Sequence, residues 1–397
     1  MGSDSFIWVF PAVLTSILIS YISMPVIIQI AGLKNLIDEP DEVRKFHSGM
    51  IPTLGGIGIF AAFLISFSVW GGATNLTSYP FFVASLFMLF LIGIKDDILV
   101  ISPAKKFIVQ LLAAVEIVLG GKVYIDNLNG LFGVYEISWI VGVCLSVVII
   151  VALINSYNLI DGIDGLAGGV GLVASVFLGI WFFGAGFHSL GMLSFVLSGA
   201  LIGFLIFNFH PAKIFMGDTG AMAVGFILAF LSLQFISLNQ TITESGWYIE
   251  NAIVMAVAVM IIPVVDTLRV SVIRLLSGHS PFIADHNHIH HKLIESNIPQ
   301  HYAAISLWIA NMVIIGLIYM MQNLEPSMLL CITLILGSVM LPSIKLIFKH
   351  LFGIYKDKDL VKPDLSTETT EALKGDGDKK RAIGFKKLAE FIKESTT

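Results

Sequence analysis

Residues 137–165 read ISWIVGVCLSVVIIVALINSYNLIDGIDG. From Ile137 to Ile154 no charged side chain interrupts the run. At ~1.5 Å per residue, a helix of that length comes close to crossing the ~30 Å hydrocarbon core of a bilayer. The run then breaks into Asn155, Asn158, Asp161 and Asp164 at three-residue steps, with glycines at 162 and 165. A membrane-crossing helix and a polar cluster at its end are thus joined in one segment.

The same alternation extends in both directions. The 397 residues are 56% hydrophobic and 13% charged, against roughly 25% charged in soluble domains. Mean hydropathy is +0.88. That balance, with 36 glycines, excludes a disordered chain, a coiled coil and nucleic-acid binding through a basic face. Apolar blocks predict an all-α polytopic membrane protein of about eleven transmembrane helices. The expected spans are 6–31, 53–70, 80–95, 107–121, 137–155, 167–185, 189–207, 220–238, 250–268, 302–321 and 327–348. The first lacks the basic leader of a cleavable signal. The fourth is short and holds Glu116, which has no evident mate. Cys144 and Cys331 lie inside apolar blocks and read as small fillers, offering neither a disulfide nor a thiolate metal site.

Orientation follows from lysine and arginine, which concentrate in cytoplasmic loops. With the N-terminus outside, the inner connections are 32–52, 96–106, 156–166, 208–219, 269–301 and the tail. Of 23 Lys and Arg residues, only Lys122 then falls on the outer side. The expected organisation is a transmembrane catalytic domain over 1–348 and a charged cytoplasmic tail over 349–397, with an amphipathic stretch at 379–393. Residues 122–136, KVYIDNLNGLFGVYE, alternate around Asn129-Gly130 and predict a small periplasmic β-hairpin.

The unusual polar residues all fall on the inner side. Asp96, Asp97, Asp161, Asp164, Asp218 and Asp266 lie at membrane boundaries, where acids are costly unless paired, hydrated or metal-bound. Asp96-Asp97 reads either as a helix end meeting water or as two acids turned toward one phosphate or cation. Such close acids repel, which gives one of them base character unless a metal intervenes. If the chain stays helical, Asn155, Asn158, Asp161 and Asp164 share a face, offering oxygen ligands for Mg²⁺ or acceptors for a base and ribose. Phe215-Met-Gly-Asp-Thr-Gly precedes a new apolar helix. Asp218-Thr219 there reads as an ordinary N-cap for a helix from Gly220, or as a carboxylate holding a metal–diphosphate complex at a helix start. The stretch 279–292, HSPFIADHNHIHHK, lacks the HExxH or cysteine spacing of a zinc site. With Arg269, Arg274 and Lys292 around it, it better suits a sugar–phosphate pocket.

Taken together, FHSGMIPTLGG at 46–56, Asp96-Asp97 with Lys106 and Gln110, Asn155–Ala167, Asn208–Gly220 and Pro263–Leu293 resemble the polyprenyl-phosphate N-acetylhexosamine-1-phosphate transferase family. The HIHH run at 288–291 is similar to its WecA/TagO-like branch, which uses UDP-N-acetylglucosamine. The branch that starts peptidoglycan has a lysine after the first histidine, whereas here Ser48-Gly49 follows His47.

The resemblance implies transfer of N-acetylglucosamine-1-phosphate from UDP-N-acetylglucosamine to undecaprenyl phosphate, with release of UMP. That would be the first membrane step of a cell-surface glycan such as an O-antigen, an enterobacterial-type antigen or a teichoic-acid linkage. The alternative donors are another UDP-N-acetylhexosamine or UDP-MurNAc-pentapeptide. The resemblance also implies Mg²⁺ or Mn²⁺, a bacterial inner-membrane location with a cytoplasmic cleft, and an assembly compatible with a homodimer. By motif position, Asn158 and Asp218 would hold the metal, Asp164 would read the uracil, and Lys106 would meet the diphosphate. His288, His290 and His291 would contact the sugar or its phosphate, and His47, Asn155, Asn208 and Arg269 complete the expected substrate contacts. Asp96-Asp97 would act on the lipid phosphate, and which of Asp96, Asp97 and Asp161 serves as a base stays open. The rival class, an ion-coupled transporter, expects mid-membrane charges and an inverted repeat; only Glu116 lies deep within a span, and no repeat is evident.

Overall fold

The computed structural model describes residues 7–34, 51–71, 77–276, 289–296 and 298–352. Among these residues thirteen α-helices follow one another and no strand forms. They are α1 (Val9–Leu33), α2 (Gly55–Trp70), α3 (Tyr79–Ile98), α4 (Pro103–Val115), α5 (Trp139–Leu159), α6 (Leu166–Gly184) and α7 (His188–Asn208). The chain continues through α8 (Gly217–Asn239), α9 (Ala252–Val259), α10 (Ile261–Leu276), α11 (Ile289–Glu295), α12 (Gln300–Met320) and α13 (Pro326–Phe352).

The centre is α8. Every residue from Thr219 to Leu233 is buried, and a helix apolar on all sides belongs inside a bundle. Around it pack α2, α3, α5, α6 and α9. In lipid, helices associate through close packing and hydroxyl hydrogen bonds rather than by escaping water. Accordingly, Gly199 and Gly203 let α7 lie against α1, where a Cβ would strike the backbone of Val13 or Ile17. Ser16 Oγ and Ser20 Oγ on α1 donate to the carbonyls of Val196 and Ala200 at 2.7 and 2.8 Å. Large apolar side chains such as Phe10, Ile22, Leu91 and Val148 lie exposed, as a lipid-facing surface requires.

Two ends of the bundle differ. At one, Gly56 of α2 faces the backbone of Gly220, Gly93 of α3 faces Thr219, and Gly225 of α8 faces Ile154 of α5. These close approaches gather the C-terminal ends of α3 and α5 against the N-terminal ends of α2 and α8. At the other end sit all of the six tryptophans but Trp308. There Trp8 stacks on Trp70 with ring centroids 5.6 Å apart, Trp139 opens α5, and Trp181 Nε1 donates to the Trp247 carbonyl at 2.8 Å. Tryptophans collect where a bilayer meets water.

Among the described residues seven helices are long and apolar enough to cross a membrane, and a bent pair makes up to eight. The expected spans 53–70, 80–95 and 107–121 fall on α2, α3 and α4. Three expectations need correction. The span at 250–268 is broken, with α9 and α10 meeting at 81°. Pro263 has no N–H for the Val259 carbonyl four residues back. The buried Asn311 of α12 supplies the missing donor through Nδ2 at 3.3 Å. The span at 107–121 ends as an α-helix at Val115 and finishes in one π-turn, Glu116–Gly120. Glu116 does have a neighbour, because Ser85 Oγ stands 3.1 Å from its Oε2 and 3.0 Å from the Ala113 carbonyl. The hairpin at 122–136 narrows to a single antiparallel bridge between Asn127 and Glu136. Left-handed backbone at Asn129, Gly130, Phe132 and Gly133 coils the chain between them, leaving no room for a ladder. The tail expected over 349–397 lies outside the described residues from 353 onward.

Candidate active site

The gathered helix ends hold a connected set of polar side chains. Lys106, one turn into α4 and ahead of the apolar stretch 107–121, reaches Asp96 Oδ2 and Asp218 Oδ2, each at 2.5 Å from its Nζ. The other oxygen of Asp218 accepts from Asn158 Nδ2 at 2.8 Å. Burial works against the ammonium, but hydrogen bonds to Asp218 and Asp96 hold the Lys106 pKa above its ordinary value. One helical turn deeper, the same three helices meet again. Gln110 of α4, only 3% exposed, accepts from Asn155 Nδ2 at 2.7 Å and donates to Met222 Sδ at 3.5 Å. Positions 106 and 110, 155 and 158, and 218 and 222 are helical neighbours. A lower layer of amides therefore braces the upper layer of charges.

Asp97 is engaged elsewhere. Its Oδ1 accepts the Asp218 N–H at 2.8 Å, and its Oδ2 accepts the N–H and hydroxyl of Thr219 at 3.0 and 2.5 Å. The expected N-cap at Asp218-Thr219 is thus corrected. The helix starts at Gly217, Met216 offers no side-chain cap, and the acceptor comes from α3. The Pro52-x-x-Gly55-Gly56 motif supports the same turn through its backbone. Phe215 N–H bonds the Pro52 carbonyl, while Gly55 and Gly56 N–H groups bond the carbonyls of Phe215 and Met216, all at 2.8–2.9 Å. Gly217, at φ +69°, has no space for a Cβ between the Thr53 carbonyl and the Asp97 carboxylate.

The expected single face of Asn155, Asn158, Asp161 and Asp164 stops after its second member, because α5 ends at Leu159. Asp161 lies half-buried in the following turn, its N–H on the Asn158 carbonyl. Gly165, at φ +78°, then redirects the chain. Asp164, 1% exposed, turns to His210 Nδ1 at 2.7 Å and the Ala212 N–H at 3.1 Å. Asn208, 2% exposed, ties the two turns together by accepting from Gly165 N–H and donating to the Ile214 carbonyl. The half-exposed His210 ring stacks on His301 of α12, centroids 5.5 Å apart.

On α10, buried Asp266 accepts the Ile289 N–H at 2.7 Å and so holds the start of α11, which carries His290 and His291. Arg269 lies half-buried one turn further along, near Lys345 as are Lys292 and Glu295. His47 and His288 lie outside the described residues.

A divalent cation fits this donor set. Lys106 already bridges two carboxylates as a positive charge, and Asp96, Asp97, Asp218 and Lys106 together sum to two negative charges when ionised. Carboxylates and an amide are hard oxygen donors of the kind Mg²⁺ prefers. No group of three or more His, Cys, Asp or Glu side chains among the described residues forms a ready metal cage.

The family model for glycosyl transferase family 4 matches residues 79–236. A probable undecaprenyl-phosphate N-acetylglucosaminyl 1-phosphate transferase of Bacillus subtilis (strain 168) is 30% identical over 310 residues, spanning 78% of this chain and 84% of the relative. The chain belongs to the polyprenyl-phosphate N-acetylhexosamine-1-phosphate transferases. An undecaprenyl-phosphate α-N-acetylglucosaminyl 1-phosphate transferase of Escherichia coli (strain K12) is 28% identical over 318 residues, spanning 78% of this chain and 83% of the relative. A decaprenyl-phosphate N-acetylglucosaminephosphotransferase of Mycolicibacterium smegmatis is 33% identical over 275 residues, 64% of this chain and 67% of the relative. Within this transferase family, the matched stretch 79–236 contains Asp96, Asp97, Lys106, Asn155, Asn158, Asp161, Asp164, Asn208 and Asp218. The histidine run lies beyond it.

Proposed function

We propose that the protein transfers N-acetylglucosamine-1-phosphate from UDP-N-acetylglucosamine to undecaprenyl phosphate at the cytoplasmic face of a bacterial inner membrane. The observation that carries this reading is Lys106 held between Asp96 and Asp218, with Asn158 on the remaining Asp218 oxygen. The names of the relatives support the substrates. An N-terminus outside is supported by the charge distribution, in which Lys122 is the sole basic residue on the opposite side. All eleven expected spans then cross, with α9 and α10 as one broken span.

An oxygen of the lipid phosphate bonds to the β-phosphorus of the UDP-sugar, the bond from that phosphorus to the bridging oxygen breaks, and UMP leaves. A phosphate monoester has its second pKa near ~6, so the acceptor is already a nucleophile at neutral pH. Repulsion between two anions and their alignment are then the main barriers. A Mg²⁺ bound at Asp218 would neutralise the diphosphate and stabilise the departing phosphate. Asn158 and Asp218 are the residues that would hold the ion. Lys106, released from its two carboxylates, turns its ammonium to the diphosphate. Asp96 takes any residual proton of the lipid phosphate. Asp164 and His210 border the nucleotide, with Asn208 fixing both turns, and Asp161, Asn155, Arg269, His47 and the histidines at 288, 290 and 291 complete the substrate contacts.

The test is to incubate purified protein, undecaprenyl phosphate and Mg²⁺ with a panel of UDP-sugars and weigh the extracted lipid by mass spectrometry. UDP-N-acetylglucosamine is expected to give undecaprenyl-diphosphate-N-acetylglucosamine. A lipid carrying another sugar, or no sugar-bearing lipid from any donor, refutes the assignment.

A further inference from the structure

The two adjacent acids Asp96 and Asp97 have different surroundings. Asp96 faces Lys106, while its second oxygen accepts the Ile101 N–H at 2.7 Å. Asp97 turns the other way, and both of its oxygens accept from the first turn of α8. The three donors are the N–H groups of Asp218 and Thr219 and the Thr219 hydroxyl. The first residues of a helix have N–H groups with no partner inside it. A local Ser, Thr, Asp or Asn ordinarily serves them, but here the preceding residue is Met216. Gly93, one turn before Asp97 on the same face of α3, brings α3 so close that a Cβ would strike the Thr219 backbone. The carboxylate then reaches a helix start 121 positions away.

We infer that Asp97 is a positioning residue, which clamps the first turn of α8 and thereby fixes the direction in which Asp218 offers its carboxylate. Asp96 alone of the pair faces the reacting groups. The inference rests on the function proposed above for the Asp218 centre. An acid that exchanges a proton with substrate needs an oxygen it can free: Asp96 Oδ2 meets the Lys106 side chain, which turns to the diphosphate in the proposed reaction, whereas both Asp97 oxygens bind donors of the helix they hold. Loss of the clamp leaves two N–H groups and a hydroxyl unpaired directly behind Asp218. Displacements of ~1 Å at such a centre cost orders of magnitude in rate.

The experiment uses the full-length purified protein and the variants Asp97→Asn and Thr219→Val. Mn²⁺ binding is followed by loss of the free-ion electron paramagnetic resonance signal, alongside transfer rates across a Mg²⁺ series. Asp97→Asn is expected to weaken Mn²⁺ binding about 10–100-fold, as supporting partners of metal ligands do, and to regain most of its turnover at saturating Mg²⁺. Thr219→Val removes one of the three donors and moves in the same direction by less. Wild-type Mn²⁺ affinity in Asp97→Asn, with turnover lost at every Mg²⁺ concentration, overturns the clamp. Should Asp97→Asn not fold, Thr219→Val decides: unchanged Mn²⁺ binding and an unchanged Mg²⁺ requirement overturn it. A wild-type protein that binds no Mn²⁺ overturns both proposals, whereas one that binds it but forms no lipid-linked product overturns the function alone.

Discussion

Asp164 and Asp218 lie at neighbouring helix ends, yet their surroundings are opposites. Asp164 is 1% exposed and meets an imidazole and a main-chain amide, with Asn208 closing the turn around it. The side chain of Asp218 keeps 23% exposure and sits among more negative than positive charge. The difference separates two jobs that a list of acidic residues would merge. A closed carboxylate fixes loop geometry, because leaving such a group unpaired costs more than pairing it gains. An open one, with its charge incompletely balanced, suits the cation and the anionic substrate proposed above.

The sharpest way to break this contrast is chelation. EDTA is expected to abolish transfer, and added Mg²⁺ to restore it, while the unfolding midpoint measured without substrate changes little. Full activity in EDTA would remove the reason for the open site. Next in size is Asp218→Ala, for which a 10²- to 10⁴-fold loss of turnover is expected, on the order of a removed electrostatic contact to the transition state. Circular dichroism melting should show that this variant stays folded, and near-normal turnover would contradict the assignment. The smallest effect on rate, and the largest on folding, belongs to Asp164→Ala. It removes the oxygen that meets the Ala212 N–H and His210 Nδ1, at an expected cost of about 1–3 kcal/mol in stability. The apparent KM for the UDP-sugar should rise, since His210 loses its anchor. A variant with unchanged melting and unchanged KM would show that the turn tolerates an unpaired group there.

Much of the fold is legible along the chain because lipid enforces it. With no water to satisfy the backbone, each apolar block of sufficient length must be helical, and the boundaries of α5 to α8 fall within a few residues of the expected ones. The break between α9 and α10 had a signal in Pro263, but its remedy is an asparagine 48 positions later, a pairing no local pattern announces. The site divides in the same manner. Asn158 and Asp218 were expected to work together, and they lie within hydrogen-bonding distance. Asp164 was expected on the same face, but α5 ends at Leu159 and the turn that follows carries it to His210. The roles of Gly93 and Thr219 depend on the approach of α3 to α8, which exists only after the bundle is assembled.

The tryptophan-rich end of the bundle bears on chemistry at the far end. Helix α5 begins at Trp139 and has 21 residues, a rise of ~32 Å, nearly the hydrocarbon thickness of a bilayer. An indole collar that settles at one headgroup layer would therefore set the draught of the bundle, and would bring the amide of Asn158, near the other end of α5, level with the opposite headgroups. In the proposed reaction a lipid phosphate would then need no lifting or dragging inward; it would be met at its own depth.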